Sequence, residues 1–259
     1  REKNDIQPML DVRLFRNTVF TGAITANLIS MMVDVGFIYF ASQHLQLVSG
    51  LPPMYAGILL IPGTLATIIA GLVIARVAVH FHPAQVVSFG LALNAAAFAV
   101  LAFLGAHNDV VIILIFIVLG TGIGIAQTIS NDLMLSSVPP RKAGAASAIS
   151  ETSYETGAVL GTVIIGGMLT AIYRANVVMP TGLDETLANH AHETLGGAVT
   201  VAHHVGGEQA NQLLSSAFAA FDSGVVVSSA FSAVLMGVMA VISYLMIRKA
   251  PREMKPAEH

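Results

Sequence analysis

Glu151 and Glu155 stand four residues apart near the middle of the stretch from Arg141 to Arg174, which is built almost wholly of Ala, Gly, Ser, Thr and aliphatic residues. The stretch is long enough to cross a bilayer as a helix. Residues at that spacing share one helix face, so two charged carboxylates there repel each other. One charged carboxylate at mid-membrane already costs about 2.5–3.5 kcal/mol on lenient insertion scales, and no Lys or Arg lies between Lys142 and Arg174. The chemistry open to such a pair is reversible capture of something positive, a proton or an incoming cation. The two acids should then exchange protons as a coupled unit rather than independently. The alternative is that both stay protonated and hydrogen-bond to neighbouring helices as structural glue.

Two further acids fall in apolar stretches. Asp34 lies 18 residues past Arg16, about 27 Å along a helix, which puts it in the outer half of a membrane. Asn27 and Ser30 share its face, and Met31, Phe37 and Tyr39 nearby offer the soft, adaptable contacts that promiscuous sites use. Asp132 accompanies Gln127 and Asn131 nearer the inner end, a position that also suits a capping role. Beside the glutamate pair, Ser147 sits one turn before Glu151 and Tyr154 adjoins Glu155, giving that helix a wet face and a dry one.

These side chains need helices to hold them, and the composition supplies helices of one kind. With 55% hydrophobic and 10% charged residues and a mean hydropathy of +0.76, the chain is far too apolar for a water-soluble domain, where about a quarter of residues are charged. It reads as an all-α integral membrane protein. Charge-poor windows predict six spanning helices at 17–45, 53–79, 84–106, 109–137, 141–174 and 224–248. Breakers separate them at Pro52-Pro53, His82-Pro83, Asn108-Asp109 and Pro139-Pro140. Pro62 should kink the second helix. Glycine and alanine crowd the fourth and fifth, allowing the close backbone approach that packs helices in lipid.

If the first helix starts in the cytoplasm, Arg1, Lys3, Arg13, Arg16, Arg76, Arg141, Lys142, Arg248, Lys249, Arg252 and Lys255 all lie inside and only Arg174 lies outside. Eleven against one sets the orientation, with residues 1–16 and the tail 249–259 both cytoplasmic. The long connection, 175–223, is then extracellular. Ala198, Val201, Ala202 and Val205 recur at helical spacing, as do Leu213, Leu214, Ala217, Phe218 and Phe221, with Gly206-Gly207 between the sets. This predicts an external helical hairpin before the last span.

Other classes of function find little support. There is no cysteine, hence no disulfide framework or thiolate metal site. A net charge of −3 argues against nucleic acid as a partner. The histidine pairs His80/His82, His190/His192 and His203/His204 fall in connections without a carboxylate clamp nearby, so no metal site is expected. Gly120-x-Gly122-x-Gly124 lies inside an apolar run without the strand and Lys of a phosphate loop. No nucleophile and base pairing suggests an enzyme. The opening REKNDIQPML has no initiator Met and no leader pattern, and reads as part of a longer polypeptide.

The lead-in Pro8-Met9-Leu10-Asp11-Val12-Arg13-Leu14-Phe15, the segment Ala41-Ser42-Gln43-His44-Leu45-Gln46-Leu47-Val48 and the run from Lys142-Ala143-Gly144 through Glu151, Tyr154, Glu155 and Gly157 resemble the fourteen-helix drug:proton antiporters of the major facilitator superfamily, the QacA, SmvA and LfrA type. The resemblance covers nearly the whole chain. It implies that the six spans are the C-terminal bundle of such a transporter, whose N-terminal half is then a partner absent from this chain. It also implies that Glu151 and Glu155 match the family's acidic pair in the penultimate helix, used for cation recognition and proton coupling. Asp34 and Asp132 rest on the physical reading alone. The implied function is multidrug efflux of lipophilic cations such as quaternary ammonium compounds and dyes, across a bacterial inner membrane, with protons as the coupling ion and no cofactor. A transporter of a specific metabolite or siderophore, and a non-transporting six-helix scaffold or channel, remain the alternatives.

Overall fold

The computed structural model describes residues 12–106 and 108–248; the start of the lead-in and the tail 249–259 lie outside the described residues. Six helices long and apolar enough to cross a membrane dominate it: α1 Thr18–Val48, α2 Pro53–His80, α3 Pro83–Leu104, α4 Asp109–Ser136 and α5 Pro140–Asn176, then, after the two short helices α6 Glu185–Glu193 and α7 Leu195–Val205, α8 Gly207–Ile247.

The helix starts follow from the residues that precede them. Asn17 accepts from the Val19 amide at 3.0 Å and Asn108 from the Val110 amide at 2.8 Å, satisfying donors that a helix leaves open at its first turn. Proline fills the first position of α2, α3 and α5, where its missing N–H costs nothing. Asp184 and Thr194 cap α6 and α7 in the same way.

Packing follows small residues. A Cβ at Gly120 or Gly124 of α4 would collide with the Gly63 or Thr67 carbonyl of α2, and a Cβ at Gly157 or Gly161 of α5 would collide with the Leu28 or Met32 carbonyl of α1. These side-chain-free seams press α2 onto α4 and α5 onto α1 at backbone distance. α3 and α8 pack along each other behind α4 and α1. The result is a front row in the order α2, α4, α1, α5 and a back row of α3 and α8. Between them lies an apolar core that includes Phe37, stacked on Phe116 at 5.1 Å and edge-on to Phe40 and Phe98.

Two ties fix the ends of the bundle. At one, Asn17 before α1 donates to the Ser137 carbonyl after α4 at 3.2 Å. At the other, His44 in the last turns of α1 meets Asp109 at the start of α4 at 3.1 Å, and the Ser49 hydroxyl donates to the same carboxylate at 2.6 Å. The alternation of the spans then puts Arg16, Arg76, Arg141, Lys142 and Arg248 at the first end and Arg174 at the second.

The last helix differs from the sequence expectation. A span was expected over 224–248 with a separate hairpin arm before it, but α8 runs unbroken for 41 residues from Gly207, about 62 Å at 1.5 Å per residue. Asp222 and Ser223 end the apolar window without ending the helix, because nothing there opposes helical backbone. The helix begins after Gly206, where Gly206 and Gly207 are both at positive φ (64° and 62°) and a side chain would be strained. Within α5, residues Gly161–Gly166 are wound as a π-helix between two α-helical parts.

Candidate functional site

The polar residues expected on α1, α4 and α5 converge. Asn27 of α1, only 1% exposed, donates to the Asn131 Oδ1 of α4 at 3.0 Å. Asn131 donates through its Nδ2 to the Tyr154 hydroxyl of α5 at 2.8 Å, and that hydroxyl lies 3.1 Å from Asn131 Oδ1 as donor. Ser150 adds a third donor to that Oδ1 at 3.4 Å. One amide thus joins three helices at the front of the bundle. Tyr154 ties α5 to α4 beside α1.

The glutamates lie on the exposed part of the same helix. Ser150, Ser153 and Gly157 are buried against α1, while Ser147, Glu151 and Glu155 form an exposed line at four-residue spacing. Glu151 stands about 60° round the helix from Tyr154 at 100° per residue and interacts with its hydroxyl electrostatically. Glu155 is about 100° from Tyr154, at the rim. Thr152 and Thr156 continue the polar surface away from the bundle. The exposed surface of α2 is of the opposite kind, with Met54, Ile58, Ile61, Leu65, Ile69 and Val73 bare and apolar.

Asp34 is half-buried on α1, seven residues beyond Asn27 and so nearly on the same line. Among the described residues no Lys, Arg or His forms an ion pair with Asp34, Asp132, Glu151 or Glu155; the pair recorded is His44 with Asp109. Asp132 is exposed near the end of α4 and is not part of the Asn131 network, because its place one residue on turns it about 100° away. Ser30 is fully buried, and its hydroxyl has no partner among the described residues. Gln127 is half-buried one turn before Asn131.

Of the expected apolar contacts, Met31 is half-buried and Tyr39 exposed, its ring lying against Gly166 of the π-helical turn. Phe37 requires a correction. It is 0% exposed inside the aromatic core, where it can support α1 but cannot touch a guest. Its apolarity was legible, but which helix face it occupied depended on how α3 and α4 close behind it.

Three features had gone unread. His44 is buried within a spanning helix, unlike the histidine pairs of the connections, and its place in α1 was the available signal. Tyr173, buried near the end of α5, donates to the Ala191 carbonyl of α6 at 2.8 Å, and the Arg174 Nε donates to the Glu193 carbonyl at 3.0 Å, so α6 is bolted to α5. A recess also opens between α2 and α4, foreshadowed by Gly63, Thr67 and Gly71 at spacing four facing Gly120, Gly124 and Thr128.

Comparison with known proteins agrees with this architecture. Residues 3–162 match the family model described as Major Facilitator Superfamily. The chain is 44% identical over 251 residues to the multidrug efflux pump LfrA of Mycolicibacterium smegmatis, covering 96% of this chain and 50% of that protein. It is 31% identical over 253 residues to the methyl viologen resistance protein SmvA of Salmonella typhimurium, covering 95% and 50%. The crystal structure of a bacterial homolog of the human lysosomal transporter Spinster, inward-facing and unoccupied, superposes with a TM-score of 0.68 at 16% identity, over 99% of this chain and 54% of that one. The chain spans about half the length of the curated relatives it matches.

Proposed function

Because this chain belongs to the major facilitator superfamily and holds intramembrane carboxylates that no described cation neutralises, we propose that it is the C-terminal bundle of a fourteen-helix, proton-coupled exporter of lipophilic cations. The observation that carries this reading is the polar flank of α5. Glu151, Thr152, Glu155 and Thr156 point away from their own bundle at mid-span, a surface too costly to leave against hydrocarbon. An aqueous cavity shared with a second, N-terminal bundle removes that cost. The relatives named for multidrug efflux and methyl viologen resistance support export over import.

In this mechanism the outward-facing state takes protons onto the Glu151/Glu155 pair and Asp34. The inward-facing state releases them when a cationic guest docks beside the same oxygens. Guest and proton compete for one negative charge, so downhill proton entry drives uphill guest exit. Rocking of the two bundles exchanges access. No bond in the guest is made or broken and no cofactor takes part; the partners are the second bundle, the guest and the lipid. The basic end of the bundle faces the cytoplasm of a bacterial cell, which makes both ends of the chain cytoplasmic and α6 and α7 an extracellular cap.

The test uses proteoliposomes holding the complete gene product. An inward proton gradient should drive ethidium export, and ethidium addition should release protons from the detergent-solubilised protein. Replacing Glu151→Gln and Glu155→Gln together should abolish both. Undiminished proton release from that double variant would remove the coupling role.

A further inference from the structure

The recess between α2 and α4 holds about 360 Å³ and is lined by Thr67, Gly71 and Leu72 on one side and by Gln127, Thr128 and Asn131 on the other. That is within the range of small-molecule subsites, about 300–1,000 Å³, and fits a fused ring system. Among the described residues no Asp, Glu, Lys, Arg or His lines it. Its polar groups are amides and hydroxyls with spare capacity: among the described residues no hydrogen bond engages the side chains of Gln127 or Thr128. Asn131 donates only one of its two amide protons, to Tyr154. Gly71 and Gly124 form the floor, where the two helices meet closely: a Cβ at Gly71 would stand 2.9 Å from the Thr128 hydroxyl.

Asn131 therefore has two sides. One meets Tyr154 and Ser150 next to Glu151; the other forms a wall of the recess. We propose that the recess is a second guest subsite, separate from the carboxylates, which receives the uncharged, hydrogen-bonding ring body of a planar cation whose charged centre lies toward Glu151. This rests on the export reading above and adds to it a division of labour. The acids select charge, and the recess selects flat guests carrying amine, amide or carbonyl groups. A guest in the recess takes up the free Asn131 proton and so presses on the Tyr154 contact beside the proton-binding pair.

The chain has no cysteine of its own, so once any cysteine elsewhere in the gene product is replaced by serine, an introduced thiol is a direct probe. In membranes carrying the complete gene product with Thr128→Cys, and separately with Ala75→Cys at the exposed lip of the recess, maleimide labelling is timed with no proton gradient present. Ethidium, flat and bearing two aryl amines, should slow labelling at both positions. Tetraphenylphosphonium, a cation without hydrogen-bonding atoms, should not. In transport, Thr128→Val and Gln127→Leu should each raise the ethidium KM about three- to tenfold, the weight of one hydrogen bond, and leave the tetraphenylphosphonium KM within about twofold. Equal protection by both cations, or none by ethidium, would overturn the subsite. Because labelling reads binding alone, a protein that exports neither cation yet shows ethidium-specific protection would sink the export reading and keep the recess.

Discussion

Asn131 is the residue on which the front of the bundle turns. Its Oδ1 is approached by Asn27, Tyr154 and Ser150, three donors for two lone pairs, so no donor can be added there and any lost acceptor strands several at once. Asn131→Leu should cost about 1–3 kcal/mol for each buried donor left unpaired, read as a lowered melting temperature in detergent. It should also shift the pH profile of ethidium export, because Tyr154 beside Glu151 loses its anchor; an unmoved profile would assign Asn131 to stability alone. Asp132→Asn, outside the network, should leave the melting temperature unchanged. At this scale the candidate acids and their polar companions were legible in the sequence, since a charge in an apolar run is conspicuous wherever it folds. Which companions touch was not, because Asn27 and Asn131 are 104 positions apart and only helix crossing brings them together.

The seams decide how the elements sit. Along α2 and α4 the carbonyls of Gly63 and Thr67 occupy the space a side chain at Gly120 or Gly124 would need. Gly124→Leu should force the helices apart at a cost of about 1–3 kcal/mol or more, seen as loss of folded protein on size-exclusion chromatography. Gly144→Leu, with open space around it, should be tolerated. α6 is fixed to α5 through Tyr173, whose hydroxyl is buried against the Ala191 carbonyl. Tyr173→Phe should weaken that joint by about 1 kcal/mol and speed hydrogen exchange in α6 while leaving α1 to α4 unaffected. The element count followed from apolar runs between prolines. The continuity of α8 did not, because hydropathy marks where lipid begins and says nothing about where a helix starts.

At the scale of the molecule, a basic end and an acidic end, where Asp109, Asp184, Glu185, Glu193, Glu208 and Asp222 outnumber Arg174, define the axis, and the two surfaces across that axis differ in kind. The exposed residues of α2 are apolar, whereas the flank of α5 exposes glutamate and threonine. The orientation is testable without a transport assay. A cysteine placed at Ser49 or Gly182 should react with a membrane-impermeant maleimide added to intact cells, and one at His80 or Ser137 only after permeabilisation. The reverse pattern would invert the proposed direction of proton flow.

The amino-acid order by itself determined that this chain is a set of membrane-length helices, how many there are, which end is basic and which acids stand inside apolar runs. Those are consequences of local composition, and lipid reads composition residue by residue. Only the tertiary structure decided that Phe37 belongs to the core, that Asp132 turns away from the Asn131 network, and that a neutral recess lies beside the hub. Each depends on which face of a helix meets a neighbour, and that is set by steric fit along the glycine seams between segments far apart in the chain.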